Sequence, residues 1–440
     1  MNELTGQKNS VLDSLQKTLD AFKNDGPVVK QIMNARLHPA SEAERQAMRA
    51  QIVVELQKAH DVEAALPTKN EWYAPRNSVV ALVQAAMEEH LSGAAAAPSP
   101  AAGATAAGAE TEVGVPFSDT DPGWIEVALD ALVTLFRGKA DFVTHNNLKD
   151  FMVAIPDQCS ISLVADWGAD NDSARNVAAQ IAANHPDYVI HLGDIYYAGQ
   201  DNEAEGFLAR FPSAGQKGSF ALNGNHEMYS GGHAYFEEVL PKFGQKASYF
   251  GLFNKNWQFL GVDTAYVDHQ LTSPDEPRLH QQFTWIVDKL RDTTRSSVLL
   301  SHHQPFSAFQ PEHDNASRLR DDISKLYEGA GANRPGIIYG WLFGHEHKCT
   351  IYDDSFSDYK ARLIGHGSIP HSIPEPPADP PIPFKVMNLT AKPDGSGFAI
   401  SGFALLELNG PAMNISYINE DGSVFTHETW ISQIAAAAAP

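Results

Sequence analysis

From residue 155 onward the chain consists of short apolar runs rich in Val, Ile and Leu, and most of them close on a cluster of Asp, Asn, His and Gly. Runs this short have the length of strands, and several of the stretches between them carry a helical period. The pattern predicts strands at 160–165, 188–192, 220–222, 258–262, 298–300 and 337–342, with helices at 173–183 and 280–291. Strands that alternate with helices bury their apolar faces in layers, so the expected fold class is α/β. The segment 398–430 reads as further strands and turns, and no internal repeat is present.

Five polar clusters follow the apolar runs directly. They are Asp166-Trp167-Gly168, Gly193-Asp194-Ile195-Tyr196-Tyr197, Gly224-Asn225-His226-Glu227, Ser301-His302-His303 and Gly344-His345-Glu346-His347. Loops at strand ends are where α/β sheets place their ligands, so position and composition coincide. Asp, Asn, His and Tyr supply oxygen and nitrogen donors suited to hard or borderline cations such as iron, zinc and manganese, and no thiolate is among them. A carboxylate has two oxygens and can bridge two cations, which makes Asp194 the natural centre of a two-metal site. Two histidines at i and i+2, His345 and His347, share one face of an extended chain, whereas the adjacent His302 and His303 face opposite ways. Only one of that pair is expected at the metals. Each cluster alone is an ordinary turn; the inference rests on all five at strand ends in this order.

The order and spacing of the clusters resemble the calcineurin-like metallophosphoesterases, and their details resemble the purple acid phosphatase branch, over residues 155–432. In the wider superfamily the first cluster usually ends in His. Here Gly168 stands in that place and Tyr197 lies three residues beyond Asp194, a pair of changes that belongs to the purple acid phosphatases. The resemblance implies a four-layer α/β/β/α sandwich, preceded in this chain by a small helical domain. It implies that Asp166, Tyr197 and His347 hold one ion, and that Asn225, His345 and one histidine of the 302/303 pair hold a second, with Asp194 bridging them. His302 is favoured as that ligand. The catalytic candidates are His226, which faces the substrate phosphate, and His303. An anionic phenolate at Tyr197 favours a trivalent ion, so the implied cofactors are Fe(III) plus a divalent Zn, Fe or Mn. The implied reaction is hydrolysis of a small phosphate ester, foremost a monoester, by in-line attack of a metal-bound hydroxide. The same site could serve phosphodiesters or nucleotide pyrophosphates, because substrate choice lies in the surrounding loops. A metal-holding interaction protein without turnover is the alternative from another class.

Ahead of residue 155 the texture differs. Residues 1–92 read as a helical domain: Ser10 as cap before Leu12, Leu15, Leu19 and Phe22, a capping box of Ser41 with Glu44, and a third helix at 78–91 stopped by Gly93. Residues 93–114 are an Ala/Gly/Pro-rich linker with almost nothing large and apolar to bury. A helical connector is expected at 115–154, amphipathic over 124–136, and a short tail at 433–440. The helical domain offers a surface for a protein partner or oligomerisation. A net charge of −22 repels a phosphate backbone, so nucleic-acid binding is not expected. No apolar run reaches the length of a membrane span, and the first residues lack the pattern of a secretory signal, so the expected compartment is the cytoplasm. Cys159 and Cys349, the only cysteines, are expected as buried free thiols.

Overall fold

The computed structural model describes residues 3–25, 29–30, 33, 41–65, 79 and 139–433, apart from 169–170, 200, 212–214, 292–293, 310–313, 332–336, 372 and 374–381. The helix expected at 78–91 (save Val79), the linker and the amphipathic stretch at 124–136 lie outside the described residues. Contacts divide the chain into two units, Met1–Lys139 with Tyr229–Gly231, and Ala140–Met228 with Gly232–Pro440.

The first unit contains helices Glu3–Asn24 and Glu42–Ala65, which pack on each other. Leu15, Leu19 and Phe22 on one and Ile52, Leu56 and Ala59 on the other are buried, the same i, i+4, i+7 stripe on each. The capping box forms as expected: Ser41 N–H donates to Glu44 Oε2 at 2.6 Å, and Glu44 N–H donates to Ser41 Oγ at 3.3 Å. Ser10 is not a cap. The helix continues upstream of it to Glu3, across Thr5, Gly6 and Asn9, and serine is tolerated inside a helix once a packed stripe holds it.

In the second unit one mixed sheet runs, edge to edge, β1 (Met152–Ala154), β5 (Phe250–Phe253), β6 (Trp257–Gly261), β7 (Ser296–Ser301), β8 (Gly340–Phe343), β10 (Lys360–Ile364), β9 (Cys349–Tyr352) and β11 (Phe384–Met387). The other runs β14 (Val424–Ile431), β13 (Ala412–Asn419), β12 (Gly402–Asn409), β2 (Gln158–Val164), β3 (Tyr188–His191) and β4 (Gly218–Ala221). The described part of the expected helical connector, 139–154, holds no helix; it ends in β1, which pairs in parallel with β5. Phe142 is buried and Phe151 half-buried against the sheet core, and that packing goes with an extended chain.

Strand alternation sorts the core. Ile161 and Leu163 of β2 and Val298 and Leu300 of β7 share one cluster between the sheets. Val164 joins a second cluster with Val177 and Ile181 of helix Asp172–Ala183, while Leu299 joins a third with Trp285 and Ile286 of helix Pro277–Arg291. A period of two therefore gives each sheet one face towards the other sheet and one towards helices. Cys159 and Cys349 are buried and free as expected, and burial pushes the Cys159 thiol up to about 11. Among the described residues no helix is long and apolar enough to cross a membrane.

Candidate metal centre

Strands β2, β3 and β4 are parallel neighbours in one sheet, and β6, β7 and β8 are parallel neighbours in the other. Asp166, Asp194 and Asn225 follow the first three, and His302 and His345 follow β7 and β8. Donor atoms of Asp166, Asp194 and His347 lie within 4.8 Å of one another, as do those of Asp194, His302 and His345. Asp194 belongs to both sets. These buried His/Asp clusters form a candidate dinuclear metal site.

The backbone is bent to make this convergence. Asp166, Asp194 and His345 have φ of 56°, 54° and 74°, a left-handed conformation that costs roughly 1–3 kcal/mol at a non-glycine residue. Contacts between loops hold it in place. Asp166 N–H donates to Gly193 O at 3.1 Å, Trp167 N–H to Asp194 O at 3.2 Å, and His345 N–H to Asp166 Oδ2 at 2.8 Å. Glu227, fully buried, accepts from the N–H groups of Asp194 (2.9 Å), Ile195 (2.7 Å) and Gly224, so one carboxylate ties the β3 and β4 loops together. Gly224 has no room for a side chain, since a Cβ there would meet Asp194 Oδ1 at 2.3 Å.

Ring nitrogens are oriented by acceptors that cannot donate. His302 Nδ1 lies 3.2 Å from the carbonyl of Leu192, so Nδ1 carries the proton and Nε2 faces inward. Nε2 then meets Asn225 Oδ1 at 2.9 Å, His345 Nδ1 at 3.1 Å and Asp194 Oδ2 at 3.2 Å. Acceptors gathered this closely suit a cation, and ligands about 2.1 Å from one ion stand roughly 3.0–3.4 Å apart. By the same logic His226 Nδ1–H donates to the carbonyl of Tyr197, leaving Nε2 3.6 Å from Asp194 Oδ2. His226 N–H also donates to Asp194 Oδ1 at 3.0 Å.

Burial, then the neighbouring Asp194 charge, pushes the Asp166 carboxyl well above its ordinary range. Burial acts on Asp194 in the same direction, but the imidazoles of His226 and His302 outweigh it and hold that carboxyl below its ordinary value. Burial also keeps His347, whose Nε2 is 3.7 Å from Asp166 Oδ1, well below the usual imidazole range and thus neutral, the form that binds metals. Asp166 Oδ1 is buried without a hydrogen-bond partner. That is the lone pair a cation would take.

Tyr197 is buried with its ring 5.7 Å from that of His226. A Cβ at position 168 would lie 2.5 Å from the carbonyl carbon of Tyr196, so this chain has no space for a histidine where Gly168 stands. His303 is turned elsewhere. Its Nδ1 meets Thr264 Oγ1 at 3.0 Å, its Nε2 lies 3.3 Å from Asp268 Oδ1, and its ring is 3.9 Å from that of His269. Burial, then His269, brings the His303 imidazole down to about 3. Asp268, His269 and the tie made by Glu227 had not been singled out from sequence; their signal is position, in the loop after β6 and at the end of the Gly-Asn-His-Glu cluster. His366 and His371 lie in the segment after β10 and are buried.

The fold and site define an α/β domain with a candidate dinuclear metal centre. Residues 160–349 match the calcineurin-like phosphoesterase family. The chain carries a calcineurin-like metallophosphoesterase domain. No curated protein sequence matches it. Among solved structures it is similar to the purple acid phosphatase PPD1 from yellow lupin (Lupinus luteus) seeds, at 16% identity and a TM-score of 0.47, covering 62% of this chain and 54% of that one. The chain thus spans about half the length of the lupin protein. It is also similar to GAP50, the anchor in the inner membrane complex of Plasmodium, at 12% identity, TM-score 0.46 and coverage of 64% and 95%. A third likeness is to YfcE, a phosphoesterase from E. coli, at 12% identity, TM-score 0.28 and coverage of 61% and 98%. The family match, and not these distant likenesses, carries the assignment.

Proposed function

We propose that the chain hydrolyses small phosphate esters at a two-cation centre, as a phosphomonoesterase of the purple acid phosphatase-like kind. In this reading 155–432 form a four-layer α/β/β/α catalytic domain, with the helical region 1–92, the linker 93–114 and a connecting segment 115–154 ahead of it. The observation that carries the reading is Asp194, whose carboxylate belongs to both donor clusters. Asp166, Tyr197 and His347 would hold one ion, Fe(III) if the phenolate binds, and Asn225, His302 and His345 would hold a divalent Zn, Fe or Mn. When bound, the ions acidify water and neutralise charge on the phosphate.

The remaining chemistry belongs to the side chains. His226, fixed through Nδ1 on the Tyr197 carbonyl, presents Nε2 beside Asp194, where as the imidazolium it can donate to a phosphoryl oxygen or protonate a departing alkoxide. His226→Ala is therefore expected to lower turnover by about a hundredfold or more while the metal content stays that of the parent. Parent-level turnover in this variant removes His226 from the reaction.

Metal content and the visible spectrum of the purified protein test the centre itself. Iron with a charge-transfer band that disappears in Tyr197→Phe supports the phenolate ligand; two ions without the band keep the phosphoesterase and dismiss Fe(III)–tyrosinate. Aryl phosphate monoesters and diesters, compared side by side, decide the substrate class. A metal-loaded chain that hydrolyses neither would be read as a binding protein.

A further inference from the structure

Beside the Asp194 clusters lies a second set of donors, of which the two-cation reading uses only His345. The loop after β6 carries Asp268 and His269, and His302 and His303 follow the last residue of β7. One nitrogen each from His269, His303 and His345 lie within 4.8 Å of one another. A single oxygen, Asp268 Oδ1, stands 2.9 Å from His269 Nδ1 and 3.3 Å from His303 Nε2. The ring of His345 is 4.6 Å from that of His303 and 5.3 Å from that of His269. We propose that Asp268, His269 and His303, with His345 on the side shared with the Asp194 cluster, form a third cation site.

The donor chemistry selects the ion. Three imidazoles and one carboxylate are the ligand types of a four-coordinate zinc-like divalent cation, whose ligands at about 2.05 Å stand roughly 3.3 Å apart; Asp268 Oδ1 is 2.9 and 3.3 Å from its two histidine nitrogens, and the three ring nitrogens lie within 4.8 Å of one another. His303 is held for the role: its backbone N–H donates to Thr264 Oγ1 at 3.2 Å and its Nδ1 meets the same hydroxyl at 3.0 Å, which directs Nε2 at Asp268. A hydrogen-bonded second nitrogen is how metal-binding histidines are usually oriented. His269 is brought to the cluster by a left-handed backbone, φ 55°, the conformation also found at Asp166, Asp194 and His345. His303 is fully buried and His269 nearly so, while the Asp268 side chain keeps 53% of its surface exposed, giving an ion a way in from solvent. The site shares only His345 with the Asp194 pair; serving both at once, that ring would bridge through its two nitrogens as an imidazolate.

The test uses the full chain, stripped with a chelator and reloaded with Zn(II) or Co(II), with bound metal counted at equilibrium and the Co(II) absorption recorded. The parent is expected to bind one more ion per chain than Asp268→Asn or His269→Ala, with affinity at that step at least about tenfold weaker in either variant and its share of the Co(II) visible bands missing. Asp268→Asn is isosteric and half exposed, so it reports even if His269→Ala folds poorly. A full metal count and unchanged Co(II) spectrum in both folded variants overturns the third site and leaves the pair standing. Loss of every ion from either variant also overturns it, since the donors would then belong to the pair. Asp194→Asn separates the readings from the other side: its ions should fall away while the one at His269 is retained.

Discussion

Asp194→Asn is expected to lower phosphoester turnover by at least about a thousandfold, the upper end of what the loss of one preorganised stabilising group costs, because this carboxylate serves two ions at once. The substitution keeps shape and hydrogen-bonding capacity and removes charge. Oδ1 can still accept from His226 N–H, now 3.0 Å away, but the other position becomes a neutral amide beside His302 Nε2, now 3.2 Å from Oδ2. Both donor clusters lose their shared anion. Metal content should fall with activity, and the metal-free variant should unfold at a lower denaturant concentration than the metal-free parent, since a charge that His226 and His302 stabilise in the folded state has been removed. Elemental analysis, steady-state rates and denaturant melts on the same preparations check all three. Turnover within tenfold of the parent at full metal content would sink the bridging role.

The largest stability effect is expected at Arg362. Its guanidinium is fully buried on β10, donates to both oxygens of Glu428 on β14 at 2.6 and 2.7 Å, reaches Asp354 at 3.0 Å and lies 5.3 Å over the Trp430 ring. β10 and β14 belong to different sheets, so this bidentate pair ties the two together. Arg362→Met leaves Glu428 largely buried without its partner, and breaking such a pair costs about 3–5 kcal/mol, seen as a lower denaturant midpoint with unchanged slope. Burial raises the Glu428 carboxyl, but the hydrogen bonds and charge of Arg362 outweigh it and leave the folded-state value below the ordinary one. A group depressed in the folded state contributes stability above its unfolded pKa, about 4.3 for a glutamate, and loses it as pH falls through the folded value. The parent should therefore weaken on acidification through that window, and Arg362→Met should weaken less steeply. A loss under about 1 kcal/mol at neutral pH would show that the pair contributes little more than a surface ion pair.

Much of the site was legible because its signals are local. The strands expected at 160–165, 188–192 and 258–262 are found within two residues of those bounds, since apolar runs that short have the length of strands and not of helices. The Ser41–Glu44 box was readable for the same reason: its hydrogen bonds close within one turn. Ser10 misled because a capping residue carries no information about what lies upstream of it, and the helix continues to Glu3. The 139–154 stretch misled because its apolar residues answer to the sheet they pack on and not to a helical period.

Sequence by itself determined which residues stand at the ends of β2, β3, β4, β7 and β8, because residue identity and strand length are properties of each segment alone. Tertiary structure decided the rest. Asp166, Asp194, His302 and His345 come within bonding range of common ions only because two sheets stack with their parallel strands ending at the same place, and three of these residues take a left-handed backbone that contacts between loops must enforce. The choice between His302 and His303 was equally beyond the local pattern. Alternation says that they face opposite ways, but which way is inward depends on register, and the parallel pairing of β7 with β6 and β8 turns His302 to Asp194 and His303 to Asp268. Asp268 with His303, and Arg362 with Glu428, meet across separations in sequence that no periodicity spans; only packing brings such groups together.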